Sequence, residues 1–96
     1  MLTVEQQRII REVLAPYAPL SIALFGSRAR GDQRPDSDLD LLVDLQTQPD
    51  FLDLVGLEQT LSERLGMPLD LVPDRSVDPK LRPFIQRDLV RIDARA

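Results

Sequence analysis

From Asp38 to Leu45 the chain reads DLDLLVDL, and no other stretch restricts the fold as much. Aspartate is disfavoured in strands, yet here it alternates with leucine at period two. Successive residues of a strand point to opposite faces. Asp38 and Asp40 therefore project together, while Leu39 and Leu41 go to the other face. With a rise of ~3.3 Å per residue, the two aspartate Cα atoms are expected roughly 6–7 Å apart. Their carboxylates can then reach one metal ion, or two ions ~4 Å apart. Adjacent carboxylates repel and raise each other's pKa, a penalty that a divalent cation removes. Hard oxygen ligands suit Mg²⁺ or Mn²⁺. The rival reading is a pair of solvated aspartates on an exposed strand face. An EF-hand loop is a poorer match: Asp36, Asp38 and Asp40 fit its opening, but Leu41 stands where glycine is needed and Thr47 where glutamate is needed.

The neighbouring sequence places this strand in a sheet. Thr3 with Gln6 forms a capping-box pattern for a first helix. Ile10, Val13, Leu14 and Tyr17 give that helix its apolar stripe, and Pro16 and Pro19 end it. Leu20 to Phe25 reads as a strand broken by Gly26, followed by a short helical piece near Arg28 to Arg30 and a polar loop. After the aspartate strand, Asp50 caps a helix with Leu54, Leu57, Leu61 and Leu65 on one stripe, and Gly66 stands at its C′ position. Met67 to Val72 is a third strand. A last helix starts at Asp78-Pro79 or near Arg82 and runs to about Asp88; Leu89 to Ile92 is a short strand or the end of that helix. The expectation is α/β (α+β): a single mixed sheet with helices packed on it, forming one domain over residues 1–96.

Two further features bear on chemistry. Gly26-Ser27 directly follows a strand. Glycine lets a ligand approach the backbone closely, and the amides that follow, at the start of a helix, bind phosphate oxygens. Ser27 adds a hydroxyl, and Arg28 and Arg30 are candidates to neutralise phosphate charge or plain surface residues. Asp70 lies between Leu69 and Leu71 in the third strand, where burial without a partner is costly. If the second and third strands are neighbours, Asp70 completes a carboxylate triad with Asp38 and Asp40; otherwise it is an edge aspartate facing water.

Composition narrows the chemistry. The chain lacks cysteine, so thiolate zinc sites and cysteine nucleophiles are excluded. It also lacks histidine, so a general base must be a carboxylate, lysine, the lone tyrosine or water. The net charge of −4 argues against general nucleic-acid binding, but not against a nucleotide that brings its own cation. Neither a signal peptide nor a membrane span is read from the sequence, and a cytoplasmic location is the expectation.

Taken together, Gly26-Ser27, ten intervening residues, Asp38-Leu39-Asp40 on a strand, and a later Leu69-Asp70-Leu71-Val72 resemble the nucleotidyltransferase superfamily with the polymerase-beta-like fold. The text GSRARGDQRPDSDLDLLV is most similar to the minimal nucleotidyltransferases, the antitoxin halves of two-gene modules whose other half is a HEPN-type helical ribonuclease toxin. Leu39 departs from the isoleucine common there and affects packing only. The resemblance implies Asp38, Asp40 and Asp70 as catalytic metal ligands for two Mg²⁺ ions. It implies ATP as substrate, Gly26, Ser27, Arg28 and Arg30 around its phosphates, and AMP transfer to a hydroxyl, by family analogy tyrosine, of the toxin. Neutralisation by binding alone and transfer to a small molecule with a second subunit stay open as rival functions. A chain of this size leaves little room for an acceptor-recognition domain, which favours a protein acceptor.

Overall fold

The computed structural model describes residues 2–92. The ends of the expected 1–96 domain, Met1 and residues 93–96, lie outside the described residues. Helix α1 (Val4–Leu14) begins with the expected capping box: the Gln6 amide donates to Thr3 Oγ1 at 3.0 Å, and the Thr3 amide donates to Gln6 Oε1 at 2.9 Å. A 3-10 turn over Ala15–Tyr17 leads into β1 (Pro19–Phe25). Helix α2 (Ser27–Arg30) is one turn long, and a loop joins it to β2 (Leu39–Leu45). Helix α3 (Phe51–Leu65) is capped by Asp50, whose Oδ1 accepts from the Asp53 amide at 2.8 Å, and is closed by Gly66. Strand β3 (Leu69–Pro73), a 3-10 turn over Asp74–Ser76, α4 (Arg82–Arg87) and β4 (Val90–Ile92) complete the described chain.

The sheet order is β3-β2-β1-β4. β1 pairs antiparallel with both β2 and β4, and β2 pairs parallel with β3 across the α3 crossover. This is the mixed sheet expected from the sequence. α4 starts at Arg82, the later of the two starts left open. Asp78 instead accepts from the Lys80 amide at 2.9 Å in a turn of its own. Leu89 to Ile92 yields a strand because Val90 and Ile92 find register partners in Leu24 and Ile22. β2 begins one residue later than expected, so Asp38 stands just outside the ladder, and β3 begins at Leu69 rather than Met67.

One face of the sheet carries the core. Ile22 and Leu24 of β1, Leu39, Leu41 and Val43 of β2, and Leu69 and Leu71 of β3 cluster with Ile10 and Leu14 of α1 and Leu61 of α3. The other face receives the residues of opposite parity: Phe25, Asp40, Leu42, Asp44, Asp70 and Val72 among them. On the core side, α3 is tied to the sheet by more than apolar contact. Glu58 of α3 accepts at Oε2 from the Leu71 amide of edge strand β3 at 3.1 Å, which occupies a donor that an open edge would leave free. Among the described residues no helix is long and apolar enough to cross a membrane.

Leu61 is fully buried, whereas Leu52 on the outer side of the same helix is 78% exposed. Urea denaturation is expected to show Leu61→Ala destabilised by about 2–5 kcal/mol, and Leu52→Ala changed by no more than about 0.5 kcal/mol.

Candidate active site

The site is assembled where β1 ends and β2 begins. Phe25, Asp40 and Asp70 are register partners across β1, β2 and β3. Residues directly opposite one another in neighbouring strands share a face. Asp40 and Asp70 therefore stand side by side on the face away from the core, as the parallel β2–β3 pairing requires. Asp40 is half-buried, while Asp38 and Asp70 are exposed.

Burial pushes the Asp40 carboxyl up to about 6. The negative charges of Asp70 and Asp38 and a hydrogen bond shared with Asp70 add to the rise, and the Arg30 guanidinium partly offsets it. Two further carboxylates thus act on Asp40 without an equal positive charge beside it. Among the described residues, however, no group of three is drawn in tightly enough to form a finished metal cage. Asp40 and Asp70 make the close pair. Asp38 interacts through its charge from the exposed position just before the ladder, where no strand partner fixes it. Mutual repulsion of like charges opposes a tighter gathering. The donor set is all carboxylate oxygen with a surplus of negative charge, which fits a hard divalent cation.

Gly26 brings the phosphate-binding turn against this pair. Its φ of 77° and ψ of −158° lie in a region open essentially to glycine alone. A Cβ on Gly26 would overlap Oδ2 of Asp40, so the backbone lies directly against the carboxylate. Ser27 opens α2, and the Ala29 and Arg30 amides both donate to the Gly26 carbonyl at 3.1 Å. The Ser27 and Arg28 amides come before the first intrahelical bond, in the part of a helix whose donors are left for a ligand or water. Gly31, at φ 82°, ends the turn.

The two arginines part company. Arg28 donates from Nε and Nη2 to the Ser37 carbonyl at 3.1 and 2.8 Å. It clamps the loop that delivers Asp38, and its side chain lines a hollow with Leu2, Leu24 and Met67, a set that includes core-side residues. Arg30 is held by Asp32 at 3.2 Å and by Asp88 at 3.5 Å, beside Gly26 and Phe25, and its charge reaches Asp40. Arg30 is thus the one of the two that stands on the carboxylate side. Asp32, unassigned from sequence, serves as an Arg30 partner; Asp44 shares the open face but lies opposite Ser21, away from the pair.

Sequence reasoning missed the segment after β3. Val77, Leu81 and Ile85 join Val72 and the Asp40–Asp70 pair around one cavity. Their spacing of four residues is a helical apolar signal that sequence reasoning left unused, and only Ile85 of the three lies within α4.

Residues 8–92 match the family described as polymerase beta, nucleotidyltransferase. The chain belongs to that family. It is a metal-dependent nucleotidyltransferase, with a nucleoside triphosphate as substrate. It is 33% identical over 97 residues to the protein adenylyltransferase MntA of Thermococcus cleftensis, covering 96% of this chain and 98% of that protein. Among solved structures, a toxin–antitoxin with AMP-PNP is similar at TM-score 0.80 and 27% identity, over 90% of this chain and 71% of that one. A variant of the toxin–antitoxin MntA-HpeT is similar at TM-score 0.77 and 27% identity, over 95% and 72%.

Two outcomes follow for this nucleotidyltransferase site. Gly26→Ala places a methyl group against Asp40 in a forbidden backbone region. Single-turnover transfer is expected to slow by about 100-fold, as for a displacement of about 1 Å in a reacting group, while circular dichroism keeps its folded form. The second outcome concerns pH. The Asp40 carboxyl rises from 3.8 to about 6 on folding, so its contribution to stability is complete below the lower value and is lost as pH climbs through the higher one. Glu5 and Glu12, held low by arginine partners, act in the opposite sense. In chelator, the thermal midpoint of Asp40→Asn should therefore gain on the parent between about pH 4 and pH 6.5, and Mg²⁺ should close that gap at neutral pH.

Proposed function

We propose that this chain transfers AMP from ATP to a hydroxyl, that of a tyrosine, on a partner protein. The partner is a HEPN-type helical ribonuclease toxin, and the chain acts as its antitoxin. The domain is a single minimal nucleotidyltransferase. The observation that carries the reading is the Asp40–Asp70 pair, register partners on parallel strands, with the Gly26 turn pressed against Asp40. The MntA relative, named a protein adenylyltransferase, and the toxin–antitoxin with AMP-PNP support the donor and the class of acceptor.

In this reading Ser27 and the amides after Gly26 hold the β- and γ-phosphates. Arg30 supplies positive charge beside them. Arg28 acts on the site through the loop it clamps, with its guanidinium directed to Ser37. Asp38, Asp40 and Asp70 would hold two Mg²⁺ ions, with Mn²⁺ able to substitute. Bound metal supplies charge neutralisation at the α-phosphate and acidifies the acceptor hydroxyl. Asp70, exposed beside the half-buried Asp40, accepts the proton of that hydroxyl. The acceptor oxygen forms a bond to the α-phosphorus as the bond to the bridging oxygen of the β-phosphate breaks. Pyrophosphate leaves, and AMP stays on the acceptor. Positioning and charge stabilisation carry most of the rate, as in other phosphoryl transfers.

Mass spectrometry of the co-encoded helical protein, after incubation with this chain, ATP and Mg²⁺, should show a gain of one or more AMP masses on tyrosine. Asp40→Asn should abolish that gain and leave the toxin active in a growth assay. An Asp40→Asn chain that protects cells as well as the parent does would show that binding alone neutralises the partner. A gain found only on an added small molecule would move the acceptor to that class.

A further inference from the structure

The open face carries two neighbouring cavities that share Phe25, Leu81 and Ile85. One, of about 310 Å³, lies on the β1 side with Gly26, Arg30 and Phe84. The other, of about 390 Å³, lies on the β3 side with Asp40, Asp70, Val72 and Val77. Gly26 flanks Asp40 from β1, and Asp70 flanks it from β3. The reacting centre therefore has a phosphate side and an opposite side.

We propose that the β3-side cavity is the acceptor pocket, and that Val72, Val77, Leu81 and Ile85 set acceptor specificity by enclosing the ring of the incoming side chain. This rests on the nucleotidyl-transfer reading above. In-line displacement requires the attacking oxygen to enter opposite the leaving pyrophosphate. With the triphosphate tail on the Gly26 turn, the entry side is that of Asp70, and the β3-side cavity opens there. Its walls are mostly apolar, with Phe25 beside the four aliphatic residues, and its polar lining is the carboxylate pair with Ser76 and Asp78. An apolar body with one hydroxyl at its tip matches that lining. Acidity points the same way. The cavity is lined by carboxylates and by neither lysine nor tyrosine, and the chain holds no histidine, so the proton goes to a carboxylate; a phenol, with a pKa of roughly 10, gives it up far more readily than an aliphatic alcohol does. The segment after β3 is held over the face by Arg82, which donates to Asp74 Oδ1 and to the Asp74 carbonyl, both at 3.0 Å. That clamp keeps Leu81 and Val77 opposite Val72.

The test is methyl-resolved NMR of the full chain with Mg²⁺ and α,β-methylene-ATP, followed by titration with N-acetyl-L-tyrosinamide or N-acetyl-L-serinamide. The nucleotide should move the Gly26 and Ser27 amides. The tyrosine probe should then move the methyls of Val72, Val77, Leu81 and Ile85, and the serine probe should not. Val77→Ala should weaken tyrosinamide binding by about fivefold to tenfold through lost apolar contact, with nucleotide affinity within about twofold of the parent. Phe84→Ala, which touches only the neighbouring cavity, should leave probe affinity within about twofold. If the nucleotide alone moves the four residues' methyls and tyrosinamide moves none, the cavity holds the base, and the proposal falls while nucleotidyl transfer stands. If no Mg²⁺-dependent nucleotide uptake occurs, the transfer reading falls and takes the pocket with it.

Discussion

Two carboxylates held side by side, at a cost, are the constraint on which the rest of this structure depends. Asp40 and Asp70 face one another because β2 and β3 run parallel in a register that aligns them. Neither strand can slip by one residue to separate them, since a slip would turn Leu39, Leu41, Leu69 and Leu71 out of the core. Burial of leucine on one face thus enforces repulsion between aspartates on the other. Burial first, and the charges of Asp70 and Asp38 after it, raise the Asp40 carboxyl, and a divalent cation is the natural counterweight.

The Gly26 turn converts this pair into a site with direction. Because glycine alone fits both its backbone angles and the approach of Asp40, the first amides of α2 are set beside the carboxylates on the β1 side. Arg30 adds positive charge on that side through its anchorage to Asp32 and Asp88. The β3 side has no comparable cation in its lining; aliphatic side chains of the segment after β3 close over it. The asymmetry suits a reaction in which a highly charged leaving group departs one way and an acceptor arrives the other.

Much of this was legible from sequence because it depends on local spacing. The Asp38–Asp40 alternation, the Thr3–Gln6 capping box, the Asp50 cap and the terminal glycine Gly66 each express a rule that acts within a few residues. The resemblance to nucleotidyltransferases rested on the same kind of signal, and the family match confirms it. Less legible were features set between distant segments. Arg28 reads as a phosphate ligand by position, yet its guanidinium is spent on the Ser37 carbonyl. Arg30 gains its place from Asp88, 58 residues away in sequence. The late start of α4 depends on Asp78 bonding to Lys80 rather than capping the helix.

The amino-acid sequence by itself determined which residues are carboxylate, which alternate with leucine, and where glycine permits a backbone that other residues cannot adopt. Those are properties of composition and near neighbours. Tertiary structure decided that Asp70 stands beside Asp40, that Asp38 remains just outside the ladder, and that Val77, Leu81 and Ile85 roof the space next to them. Such placements arise from strand order and register across a crossover helix. They are selected by burial of the whole leucine face at once, a condition that no short stretch of the chain can express.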